Sequence, residues 1–73
     1  MNYDALLCWL VQQKVIASYD FKAQEPEELD LKRGEIVLVL EKKDPNWWSG
    51  EILRDNKVVR GLFPKTYVTT YTD

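Results

Sequence analysis

Residues 36–70 read IVLVLEKKDPNWWSGEILRDNKVVRGLFPKTYVTT, and the punctuation of this stretch decides the fold class. Short runs of aliphatic, β-branched and aromatic residues alternate with clusters of Gly, Pro, Asp and Asn, the pattern of strands joined by tight turns. Ile36 to Glu41 is one such run, and Lys43-Asp44-Pro45-Asn46 is a loop by composition. Trp47 to Leu53 is the next strand, where Gly50 marks a bend or a close backbone approach. Arg54-Asp55-Asn56-Lys57 closes a hairpin, and Val58 to Phe63 returns. Pro64-Lys65-Thr66-Tyr67 turns tightly, and Val68 to Thr70 is a last short strand.

Toward the N-terminus, Lys14 to Ala17 supplies a first strand. The polar stretch Lys22 to Glu28 follows, and Pro26 keeps it out of a central strand. Leu29-Asp30-Leu31 alternates, and Lys32-Arg33-Gly34-Glu35 is a turn with Gly34 at the position that needs a positive φ. Five short strands in so few residues predict an all-β fold, a five-stranded barrel of two orthogonally packed sheets over residues 14–71. Residues 1–13 do not fit that scheme. Leu6, Leu7, Leu10 and Val11 recur at helical spacing, with Asn2 or Asp4 as a cap, so a short N-terminal helical extension is expected there. Ile36 to Leu40 is apolar at every position, a run that asks for cover on both faces. Leu6, Leu7, Trp9 and Leu10 are expected to pack near Ile36 and Leu38. The competing reading makes the segment part of a neighbouring domain or a partner contact.

At 73 residues the chain holds one small domain. With 45% hydrophobic and 30% charged residues it has the balance of a folded chain rather than a disordered one. Net charge is −2 and no basic run exceeds two residues, which argues against nucleic acid and for a neutral or basic partner. The apolar stretch Ala5 to Val11 is far short of the roughly 20 residues that span a bilayer, and no basic segment precedes it as in a signal peptide. A single cysteine, Cys8, leaves nothing for a disulfide and points to a reducing, cytoplasmic setting. The chain has no histidine, so Cys8 lacks an obvious base; one cysteine and scattered carboxylates do not make a metal set; three glycines make no phosphate-cradling loop. No catalytic residue, cofactor or metal is expected.

Tyr19, Phe21, Trp47 and Tyr67 fall where strands end and loops begin, with Pro64 three residues before Tyr67. The ordinary reading of an aromatic residue is core. However, Trp47 and Trp48 are adjacent in a strand and face opposite ways, so only one can point inward. Exposed aromatic walls suit a rigid, ridged ligand. A polyproline II helix has three residues per turn and free carbonyls, which tyrosine hydroxyls and an indole N–H can bond while the ring faces hold proline rings.

Ala17-Ser18-Tyr19-Asp20-Phe21 resembles the Ala-Leu-Tyr-Asp-Tyr signature of Src-homology-3 (SH3) domains. Trp47-Trp48-Ser49-Gly50 is similar to their paired tryptophans, and Gly61 to Val68 to their closing Gly-x-Phe-Pro-x-Asn-Tyr-Val. Leu29, Leu31 and Gly34 fall where that family has its diverging turn. The resemblance runs from Lys14 to about Thr70. It implies that Tyr19, Phe21, Trp47, Pro64 and Tyr67 line two proline-accepting grooves, and that Trp47 also walls a specificity pocket. It places Glu27 and Glu28 where the family carries carboxylates that pair with a ligand Arg or Lys, with Glu25 and Asp44 adding to the field; a merely solvated loop is the ordinary reading of such an acidic run. Trp48 is implied to lie on the opposite side. Two departures stand out. Ser18 replaces the usual Leu, and Thr66 replaces the usual Asn, shortening a side chain that would bond a ligand carbonyl. The implied function is non-catalytic binding of Pro-x-x-Pro segments with a flanking Arg or Lys, within a larger adaptor, signalling, cytoskeletal or endocytic protein. The alternative is an intramolecular clamp that docks a segment of its own parent.

Overall fold

The computed structural model describes residues 13–42 and 44–71. The helix expected near the N-terminus rests on residues 1–12, outside that range. Five strands follow in order: β1 Lys14–Ala17, β2 Ile36–Glu41, β3 Trp47–Arg54, β4 Lys57–Pro64 and β5 Val68–Thr70, with a 3₁₀ turn at Lys65–Tyr67 between the last two. The pairings between these strands are antiparallel, and the spatial order is β4-β3-β2-β1-β5. The expected pair of sheets is thus one continuous hydrogen-bonded sheet of five strands. The loop between β1 and β2 closes it, because Leu29 N donates to Leu62 O at 2.7 Å and Leu62 N to Glu27 O at 2.9 Å. This loop therefore covers the free edge of β4, which would otherwise present unpaired backbone groups.

The turns obey their residues. Asp55 and Asn56 have φ of 53° and 64°, so the β3–β4 hairpin closes through two left-handed residues, the geometry that matches strand twist. Gly34 has φ of 92° in the turn before β2, where Glu35 N bonds Lys32 O. That turn is tied to the hairpin by Arg54, which lies 2.7 Å from a Glu35 carboxylate oxygen and donates to Asp30 O.

The core draws on every layer of the chain: Val15 and Ala17, Leu29 and Leu31, Val37 and Val39, Ile52 and Phe63. Leu29 and Leu31 are buried while Asp30 between them turns back to cap Ala23 N, so the alternating triplet works as a strand face without being a named strand. At Gly50, a Cβ would come within 2.8 Å of Leu38 O and of side-chain atoms of Phe63 and Val37. The close approach expected at that glycine is what lets β2 and Phe63 meet.

Candidate functional site

Backbone hydrogen bonds fix the chain at or beside three of the four rings. Phe21 exchanges both backbone hydrogen bonds with Leu31, N to O at 2.9 Å each way, at the base of the β1–β2 loop. Tyr67 ends the 3₁₀ turn, and its carbonyl accepts from Ser18 N at 2.8 Å, which brings the last turn against the first loop. Trp47 opens β3 in register with Pro64, and Lys65 N donates to Asn46 O.

The four rings form one row. Tyr19 and Tyr67 lie 6.0 Å apart between centroids, Tyr67 and Phe21 5.4 Å, and Phe21 and Trp47 5.9 Å, each pair edge-to-face. Edge-to-face contacts set neighbouring rings at steep angles, so each ring meets its neighbour with an edge rather than a face. Tyr19 is 62% exposed, whereas Phe21, Trp47 and Tyr67 are half-buried and Pro64, in register with Trp47, is buried. Phe21 and Tyr67 also pack on the core, so the ordinary reading of these two is half right. They pack on the core yet keep part of their surface accessible. Trp48 packs against the core on the other side of β3, with Lys42 Nζ 4.3 Å from its ring centroid.

Beside Trp47 lies a concavity of about 420 Å³ lined by Glu41, Asp44, Trp47, Ser49 and Leu62. Two carboxylates and an indole thus surround one opening, setting negative charge beside an apolar wall. The sequence reading missed Glu41. It did name Glu27 and Glu28, and neither is among the lining residues. Glu27 is exposed, while Glu28 is half-buried and accepts Gln24 N–H at 2.7 Å. Both sit next to the pocket through the backbone, since Leu62 lines it and bonds Glu27 O. Asp44 also accepts Asn46 N–H at 2.7 Å, which shapes the loop before Trp47. Thr66 is exposed on the 3₁₀ turn, one residue before the Tyr67 ring. At the far end of the row, Ser18, Tyr19, Asp20 and Arg33 frame a shallow depression.

Comparison with known proteins matches residues 16–65 to the SH3 domain model. Among relatives, the chain is 48% identical over 60 residues to human intersectin-1 and 45% identical over 56 residues to cell division control protein 15 of Schizosaccharomyces pombe. These matches cover 82% and 77% of this chain but span only 3% and 6% of the relatives' lengths. Among solved structures, the C-terminal SH3 domain of myosin IB from Entamoeba histolytica superposes with a TM-score of 0.72 at 35% identity, over 86% of this chain and 91% of that one. The same myosin domain bound to an EhFP10(GEF) peptide gives a TM-score of 0.71 at 36% identity, over 84% of this chain and 95% of that one.

Proposed function

This chain belongs to the SH3 domain family of non-catalytic protein-interaction modules, and on that premise we propose that it binds proline-rich Pro-x-x-Pro segments carrying a flanking Arg or Lys. The observation that carries this reading is the continuous row Tyr19–Tyr67–Phe21–Trp47 ending at a pocket with two carboxylates. The accessible surface along the ring row receives proline pairs from successive turns of a polyproline II helix. Tyrosine hydroxyls and the Trp47 indole bond its free carbonyls. The basic side chain enters the pocket beside Trp47, held by Glu41 and Asp44 with Glu27 and Glu28 adding to the negative field. Because the ligand is extended before it binds, little ordering entropy opposes association. The site is shallow, so the complex is weak and fast-exchanging, roughly micromolar or about −8 kcal/mol at best.

The peptide-bound myosin domain supports peptide recognition by this fold, and the relatives support a place within a longer adaptor or cytoskeletal protein. We place that protein in the cytoplasm, in keeping with the single cysteine. Among the described residues no helix is long and apolar enough to cross a membrane. Isothermal titration with an Arg-flanked Pro-x-x-Pro peptide tests the reading. Saturable binding that vanishes when both prolines become alanine is the expected result. Equal heats from the two peptides would contradict it.

A further inference from the structure

The two ends of the aromatic row differ in charge. At the Trp47 end the lining includes two carboxylates, Glu41 and Asp44, and no cation. At the Tyr19 end a depression of about 540 Å³ is lined by Ser18, Tyr19, Asp20 and Arg33. Asp20 and Arg33 come from opposite ends of the β1–β2 loop, and Arg33 N donates to Asp20 Oδ1 at 2.8 Å, which fixes the two together. That bond uses the Arg33 backbone and leaves its guanidinium out. Arg33 is exposed, and among the described residues no carboxylate pairs with its side chain, whereas Arg54 and Arg60 are paired with Glu35 and Glu51. The depression therefore sets three donors, the Ser18 and Tyr19 hydroxyls and the Arg33 guanidinium, against one carboxylate that already accepts a backbone N–H. Such a set favours an anion over a cation.

We propose that Arg33 is a specificity-determining residue, and that it reads an acidic side chain at the end of the ligand remote from its Arg or Lys. The inference rests on the polyproline reading above and adds a second charge to the ligand. Spacing supports it. Three steps of 5.4 to 6.0 Å separate the four ring centroids, and each matches about two residues of a polyproline II helix at roughly 3.1 Å per residue. The row thus spans about six ligand residues, and the next residue on the Tyr19 side falls over the depression that Arg33 lines. Tyr19 belongs to both the row and the depression, so no gap separates the ring surface from the cation. A guanidinium suits the task, because its planar fork bonds a carboxylate through two parallel N–H groups. The consequence is polarity. A polyproline helix is nearly symmetric in its proline spacing, but a ligand with a cation at one end and an anion at the other has one way to lie.

The test uses the full chain and three Arg-flanked Pro-x-x-Pro peptides with Glu, Gln or Lys about seven residues from the Arg, a spacing set by the polyproline rise. Each is made in both chain directions and titrated by calorimetry at low and high salt. In the direction that binds more tightly, the Glu peptide should bind about two- to fivefold tighter than the Gln peptide, and the Lys peptide more weakly than either. High salt should narrow that spread, because the charges are exposed. Arg33→Glu should reverse the order, with the Lys peptide now the tightest. Equal affinity for the three peptides would overturn the proposal and leave the proline reading standing. So would an unchanged order in Arg33→Glu, whether or not its Tm falls, since a structural role would weaken all three alike. No binding by any of them would overturn both readings.

Discussion

The molecule carries two apolar surfaces of different make. The row of Tyr19, Tyr67, Phe21 and Trp47 is built from rings at strand ends and loops, with carboxylates of Glu41 and Asp44 beside it. The outer side of β2 and β3 is built from Ile36, Leu38 and Leu53 within strands. Rings at strand ends carry hydroxyl and indole groups beside apolar faces, the combination behind the proposed ridged ligand. Aliphatic side chains on a pleated face leave a hollow rimmed by Ile36 and Leu53. Position and chemistry together, rather than hydrophobicity alone, set the two surfaces apart.

The largest effect should come from the core that both surfaces share. Phe63→Ala removes a fully buried ring and should cost about 3–5 kcal/mol. Against a domain stability at the low end of roughly 5–15 kcal/mol, that leaves about 0–2 kcal/mol, so denaturant melts should show a midpoint moved most of the way to zero. Next, Trp47→Lys should separate the two. Trp47 is outside the buried cluster, so Tm should move by only a few degrees while peptide affinity falls by about 2 kcal/mol, roughly thirtyfold, in titration calorimetry.

A smaller change is expected from Asp44→Asn combined with Glu27→Gln. Loss of two exposed or rim charges should weaken an Arg-flanked peptide by about 0.5–1 kcal/mol per charge and flatten its salt dependence, with no change for the hollow. The smallest is Thr66→Asn, which restores reach toward a ligand carbonyl and should tighten binding by about 0.5–1.5 kcal/mol. A null result there would mean that the exposed 3₁₀ turn does not touch the ligand.

Much of this was legible because local chemistry and tertiary structure agree. The Asp55-Asn56 pair could close a hairpin in few other ways, and Gly34 takes the positive φ its turn requires. The four ring positions stand out by their place at strand ends. Glu41 did not, for a physical reason. Simple alternation puts residue 41 on the same side as Val37 and Val39, toward the core. A register shift between Val39 and Glu41 re-aims it into the pocket beside Trp47. A bulge of this kind leaves no mark in the pattern of one strand, because it is set by the partner strand. Likewise, Glu28 reads as a free carboxylate in sequence, yet its loop folds so that Gln24 N–H takes one oxygen. The single curled sheet was also hidden, since closure runs through backbone bonds of Leu62 to the loop rather than through any side-chain signature.

The central claim is that the aromatic row is a polyproline-reading surface. An NMR titration of the labelled chain with an Arg-flanked Pro-x-x-Pro peptide tests it most directly, run alongside Trp47→Lys. The account predicts fast-exchange shifts at the Trp47 indole N–H and around Tyr19 and Tyr67, lost in the variant, with Ile36 and Leu53 methyls unmoved. Shifts confined to the outer face, or none at millimolar peptide, would contradict it.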